Sequence, residues 1–327
     1  MGRSLAFHGD TLVAAAMWVG NVYVFTREAG QWAAPSKLVP SATGSILVNS
    51  VAIEGETVFV GSPNAHSTGS VFVFALRNGA WTQVAELSRT PPVPGSEFGW
   101  SVAVSGRRAV VGARGDGPGG KAYVFARSSQ GWIEEAALAV SGSASFGFSV
   151  AIQDDLLVVG APEYSTPGAV HVFRREGVGW VHETVLQSPL PDGRQFGWSV
   201  ALDGDTVVVG AQPNLGIPNA HVFARRDGTW AHEAQLTTDL IPGGHSVAVC
   251  GDVAVVGAPR EGAPSSLVFV RTGTKWSPPT RIPGPSTAGW GFGVSVAVDA
   301  RGVVVGSFLD QTSGTIHGAV HAYRLFP

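Results

Sequence analysis

Seven copies of one unit make up nearly all of this chain, and the repetition restricts its possible folds more than any single residue does. A Ser-Val-Ala step, or a close variant, begins at Ser4, Ser50, Ser101, Ser149, Ser199, Ser246 and Ser295, at intervals of 46, 51, 48, 50, 47 and 49 residues. A tryptophan recurs almost in step at Trp32, Trp81, Trp132, Trp180, Trp230 and Trp276. A period in this range marks a radial or stacked array, in which each unit buries its apolar faces only against its neighbours. Length alone suggests roughly two domains of about 150 residues. Seven like units predict instead one domain over 1–327, with units near 1–45, 46–95, 96–143, 144–193, 194–241, 242–289 and 290–327.

The third copy shows what one unit is. Phe98-Gly-Trp-Ser-Val-Ala-Val104 alternates large and small side chains, which predicts a strand. Phe98, Trp100, Val102 and Val104 share one face of it, and Gly99, Ser101 and Ala103 the other. Ser105-Gly106 turns the chain. Residues 109–113, 122–126 and 132–138 then read as three more strands. Four short antiparallel strands per copy describe a blade of a β-propeller, and helical periodicity appears nowhere. The prediction is therefore all-β: a seven-bladed β-propeller with four antiparallel strands per blade.

Two expectations follow from this layout. The seventh copy ends after its third strand, Ala319–Tyr323, so that blade is expected to lack its outer strand, unless the natural chain continues upstream of Met1. Such an edge would invite dimerisation. Turns between strands one and two are short and polar, as at Gly9-Asp10, Asp154-Asp155 and Gly204-Asp205. The longer connections, from strand two to three and from strand four into the next blade, emerge by parity on one common face. Variable loops on a rigid scaffold are where binding residues usually sit.

Composition removes several classes of function. Glycine, 44 of 327 residues, is close to twice its usual share of about 7%, and with 21 prolines it is spread in step with the turns. Only three lysines and a net charge of −3 leave no basic track for nucleic acid. No apolar run approaches the roughly 20 residues of a membrane span, and no signal peptide is visible. The single cysteine, Cys250, excludes an internal disulfide framework and reads as a small buried filler.

Phe98-Gly99, Phe146-Gly147, Phe196-Gly197 and Phe292-Gly293, with Gly-Ala-Pro at 160–162 and 257–259, resemble the FG-GAP repeat. That repeat is the blade unit of the integrin α-subunit propeller and of many bacterial surface proteins. The resemblance covers essentially the whole chain. It implies adhesion or ligand binding, and an extracellular or cell-surface location. Members of the family often carry a calcium loop between the first two strands of a blade. Here those turns are too short and hold at most two carboxylates, as at Asp203-Gly-Asp205, so no metal and no cofactor is expected.

Candidate site residues stand just after the Phe-Gly pair, at Arg3, Asn49, Trp100, Phe148, Trp198 and His245, with Val294 in the last copy and Trp290 in the loop before it. As starts of the inner strands they are expected at a channel mouth on the long-loop face. In integrins, aromatic residues here surround a basic side chain of the partner subunit. The resemblance implies a similar surface for a cation or a sugar ring at Trp100, Phe148 and Trp198. The structural alternative is that they plug the channel or pack between blades. His171, His221 and His321 share one repeat position with Tyr23, Phe72 and Tyr123 and read as interblade packing. Arg114-Gly-Asp116 spells an adhesion tripeptide that chance readily supplies in such a chain. Acids at Asp116, Glu163, Asp192 and Glu261 have no spacing that forces a pair together. No catalytic motif is present.

The functional expectation is a non-catalytic binding propeller for a protein or glycan ligand. A carbohydrate lyase or hydrolase at the channel mouth, and a structural module of a larger surface protein, are the alternatives.

Overall fold

The computed structural model describes residues 2–16, 20–42, 46–162, 167–190, 195–211, 220–236, 244–259, 264–286, 291–310 and 318–325. The chain divides into two compact units, Arg3–Asp154, and Met1–Gly2 together with Asp155–Pro327. The first unit begins with blade one: Leu5–His8, Thr11–Ala16, Asn21–Glu28, and a fourth position split into Gln31–Trp32 and Ser36–Leu38. Blade two is Ser50–Glu54, Thr57–Ser62, Ser70–Arg77 and Ala80–Leu87, and blade three is Phe98–Ser105, Arg108–Ala113, Lys121–Ser128 and Gly131–Leu138. The first strand of blade four, Ser149–Gln153, completes this unit.

The second unit holds the other strands of blade four, Leu156–Ala161, Ala169–Glu176 and Gly179–Gln187. Blade five is Phe196–Asp203, Thr206–Ala211, Ala220–Arg226 and Thr229–Leu236. Blade six is Ser246–Cys250, Val253–Ala258, Ser265–Thr272, and a split fourth position at Lys275–Trp276 and Thr280–Pro283. Blade seven is Phe292–Val298, Gly302–Ser307 and Ala319–Arg324, three strands among the described residues. Each blade is an antiparallel meander in chain order, and the whole is the blade pattern of a seven-bladed β-propeller.

Second strands such as Ala109-Val-Val-Gly-Ala113 are buried throughout, because a mid-blade strand is covered on both faces. The core accordingly lies between blades. Val13 and Val24 of blade one pack with Val51, Val60 and Phe72 of blade two, and Val222 of blade five packs with Val247 and Val256 of blade six. In blades two to five a bulge interrupts pairing between strands three and four, as between Val124 and Phe125. In blades one and six the fourth position breaks instead where Pro35, Pro278 and Pro279 lack the N–H that a ladder needs. An outer strand tolerates that loss.

The three sequence markers meet in one joint between blades. In the first unit the Ser50 hydroxyl donates to the Gly99 carbonyl at 3.1 Å, and Ser101 to the Gly147 carbonyl at 2.8 Å. In the second, Ser199, Ser246 and Ser295 donate to the carbonyls of Gly244, Gly293 and Gly2 at 3.1, 2.9 and 2.8 Å. The second-strand glycines Gly61, Gly112, Gly210, Gly257 and Gly306 face these same carbonyls, and a Cβ on any of them would overlap the oxygen. Serine, Phe-Gly glycine and Gly-Ala glycine thus form a single staple that admits no side chain.

The tryptophan marker has a separate role at the outer strands. Trp230 Nε1 of blade five donates to Glu183 of blade four at 3.0 Å, and Trp276 of blade six to Glu233 of blade five at 3.0 Å. Arg225 and Arg271 bring their guanidinium groups to the same two carboxylates. Each of these carboxylates thus accepts an indole N–H and faces a guanidinium charge.

The regular alternation expected across Phe98–Val104 is broken. Phe98 pairs with Ala113 but Ser101 pairs with Gly112, so Gly99 and Trp100 form a bulge outside the ladder. Phe98 remains on the apolar face with Val102, whereas Trp100 leaves it. The same shift occurs between Phe196 and Ser199 and between Phe292 and Ser295.

Candidate functional site

That bulge is a turn, and it decides where the candidate residues point. The amides of Trp100, Phe148 and Trp198 donate to the carbonyls of Glu97, Ser145 and Gln195 at 3.0, 3.0 and 3.1 Å. Gly99, Gly147 and Gly197 sit at φ +89, +89 and +90°, the position of a type II turn that requires glycine. The turn drives Phe98, Phe146 and Phe196 to complete burial and releases the residue after the glycine. Trp100, Trp198 and His245 are in fact partly exposed, while Phe148 keeps only 7% of its surface.

In the first unit Arg3, Asn49, Trp100 and Phe148 occupy one register on consecutive first strands. The Val51 amide donates to Ser4 Oγ at 3.1 Å and Asn49 Nδ2 to the Trp100 carbonyl at 2.7 Å. The Trp100 and Phe148 rings lie tilted at 5.5 Å. One face of Trp100 is already covered, because the Arg114 guanidinium stacks 3.3 Å from the ring centroid and 5.4 Å from that of Phe148. Glu97 holds Arg114 in place with two hydrogen bonds, 2.7 Å from Nε and 3.3 Å from Nη2. Sequence reasoning missed this contact, since nothing in the spacing connects Arg114 to Trp100. The aromatic surface implied by resemblance is therefore filled on one side by the chain's own cation.

Arg114-Gly-Asp116 is consequently not displayed as a tripeptide. Asp116 is 4% exposed and is held by Arg89 at 2.8 Å, Lys121 at 3.4 Å and the Tyr123 hydroxyl. Burial, then the Asp116 hydrogen bond, raises the Tyr123 phenol well above its ordinary range. Burial also raises Glu134, against the opposing charges of Arg89 and Lys121.

In the second unit Trp198 and His245 stand 6.1 Å apart, tilted, and His245 Nδ1 donates to the Val294 carbonyl at 3.1 Å. Val294 itself is buried. Trp290 lies outside the described residues, as do Glu163, Asp192 and Glu261. At the shared histidine position, His171 and His221 are buried. His221 and His321 meet Phe196 and Phe292 of their own blades at 5.8 and 5.4 Å, as Tyr123 meets Phe98. Each histidine also has a polar partner: His171 Nδ1 lies 3.1 Å from His182, His221 Nδ1 3.2 Å from His232, and His321 Nε2 3.1 Å from Asp310. Burial, then the neighbouring imidazole, lowers His171 and His221 to about 4. Cys250 is half-buried rather than a buried filler, and its thiol is raised by burial and then by Asp203 and Asp299.

A cleft of about 480 Å³ opens on the short-turn side between blades five and six. Asp203, Asp205, Asp252, Arg225, Arg226 and Arg271 line it, with Arg271 bound to Asp252 at 2.9 Å. Its charges largely answer one another. Among the described residues no group of three or more His, Cys, Asp or Glu is placed to hold a metal ion. No helix among them is long and apolar enough to cross a membrane.

A family model described as FG-GAP repeat matches three segments, residues 81–125, 132–173 and 191–223. Among solved structures, a chain in "Crystal Structure of Mitotic Checkpoint Complex" is similar over 99% of this chain and 89% of its own, with a TM-score of 0.69 and 13% identity. At that identity the likeness speaks for the fold alone. A search of curated proteins found no match.

Proposed function

We propose that this chain, which carries FG-GAP repeats and folds as a seven-bladed β-propeller, is a non-catalytic binding module whose ligand is a protein or a glycan. The observation that carries the reading is a contrast within one turn. The phenylalanine of each described Phe-Gly pair is fully buried, while Trp100 and Trp198, just after two of those pairs, keep solvent-accessible surface, as do Arg3, Asn49 and His245 at the matching repeat position; Phe148 and Val294 there are buried. Within the first unit, core packing alone gives no reason to hold a guanidinium, an amide and an indole at one partly exposed register. The fold supplies rigidity, and these positions supply rings and hydrogen-bonding groups, the usual mixture at a recognition surface. The same reading puts the module outside the cell or at its surface, where FG-GAP repeat proteins are typically found.

Trp198, partly exposed beside His245, supplies an aromatic contact for this reading. A ring contact is worth about 0.5–2 kcal/mol, so Trp198→Ala should weaken binding by roughly 2–30-fold with the fold intact. A glycan array, followed by titration of the best glycan against wild type and this variant, tests the reading. Binding that is indifferent to Trp198→Ala would refute this placement of the site.

A further inference from the structure

Arg3 stands apart from every comparable arginine of its unit. Arg27, Arg89, Arg108 and Arg114 are partly buried like it, and each meets a carboxylate: Asp10 at 3.2 Å, Asp116 at 2.8 Å, Glu135 at 3.1 Å and Glu97 at 2.7 Å. The Arg3 guanidinium has no carboxylate and no hydrogen-bond partner among the described residues, and only its backbone amide is engaged, with the Ala15 carbonyl. A half-buried charge without a counterion is costly, and folded proteins ordinarily pair it or expose it.

Its position is equally telling. Arg3 takes the register that Asn49 and Trp100 hold on the next two first strands, fixed by the Ser4–Val51 and Asn49–Trp100 hydrogen bonds. Asn49 commits its Nδ2 to the Trp100 carbonyl, which leaves the amide oxygen as an acceptor. A fork of cationic donors, an acceptor one blade away and aromatic rings beyond it match a sugar that bears a carboxylate. A neutral sugar would leave the guanidinium unanswered.

We propose that Arg3 is the anchor for the carboxylate of an acidic sugar, a hexuronate, in the ligand of this face. The inference rests on the binding-module reading above and names the class of ligand. Burial lowers the Arg3 pKa with no neighbouring charge to offset it, as expected of a cation prepared for an incoming anion.

The test is titration of the full chain with tri-galacturonate, with its carboxyl-reduced neutral trisaccharide and with a tri-glutamate peptide. The expected result is that wild type prefers the galacturonate by about tenfold or more, the scale of a hydrogen-bonded charge. Arg3→Gln should abolish the preference, and Arg3→Lys should restore part of it. Thermal unfolding provides a readout that needs no ligand. Loss of an uncompensated charge should leave the Arg3→Gln melting temperature level or raise it, whereas a structural arginine would lower it. Equal binding of the two sugars, preference for the peptide, no binding of any probe, or a destabilised Arg3→Gln variant would each overturn the inference. A neutral glycan lost on Trp198→Ala but unaffected by Arg3→Gln would overturn it while leaving the binding module in place.

Discussion

The two imidazole pairs of blades four and five should make stability fall steeply in mild acid. His171 and His221 are 4% and 1% exposed, and each packs its ring against another histidine. In the folded chain both are held near 4, against 6.5 when unfolded. A depressed folded value means that the unfolded chain binds more protons between those limits. Nothing is lost above about pH 6.5, and the loss grows as pH falls toward about 4. At about pH 5 the linkage amounts to roughly 2 kcal/mol per imidazole, or roughly 4 for both. That is a large part of the roughly 5–15 kcal/mol by which domains are stable. Blade two shows which replacement fits, since Phe72 fills the same slot with no exposed surface. Urea unfolding of wild type and the His171→Phe/His221→Phe double variant at about pH 7.5 and pH 5 separates this term from the carboxylates, which titrate in both. The variant should lose roughly 4 kcal/mol less on acidification. An equal loss in the two proteins would refute the argument.

Gly112→Ala should destabilise by more than about 3 kcal/mol, because its Cβ would overlap the Gly147 carbonyl and the Ser101 hydroxyl. Gly106→Ala, with nothing within 4 Å, should cost only about 1 kcal/mol for its φ of +55°, and denaturant midpoints will show whether the two differ. Arg114→Ala should cost about 1–2 kcal/mol and change the fluorescence of Trp100, with an unchanged spectrum counting against the stacking. Adding a chelator should leave the melting temperature where it is, since turns such as Gly251-Asp252 cannot surround a calcium ion with oxygens. A fall of several degrees would disprove that.

The blades were legible because their markers recur by physical necessity. Ser101, Gly112 and Gly147 must all be small to let two backbones touch, so they punctuate the sequence at the blade period. Trp100 was misplaced because alternation was carried through a glycine whose positive φ inserts a turn, and period-two reasoning has no term for that. Of the site, the candidate register was readable but not its occupancy. Arg114 reaches Trp100 through a loop contact across blade three, which no spacing rule encodes. The histidine pairs did leave a trace. His171 and His182, like His221 and His232, lie on the two arms of one hairpin, and both pairs have the same separation, |i−j| of 11.

The staple of serine hydroxyl, glycine carbonyl and bare second-strand glycine has a consequence for how such a chain can grow. Blade three carries the donor for the unit that follows and the acceptor for the unit that precedes it, since Gly99 receives Ser50 while Ser101 reaches Gly147, and blade six does the same through Gly244 and Ser246. A segment duplicated in tandem therefore arrives with both halves of the joint already matched, and no compensating substitution has to appear elsewhere. Head-to-tail complementarity of this kind, familiar from subunits that assemble by one repeated contact, is written here within a single polypeptide. Its loops can diverge only around the few backbone groups that also cross between blades, as where the Thr68 and Gly119 carbonyls accept from the Phe98 and Phe146 amides at 3.1 and 2.8 Å.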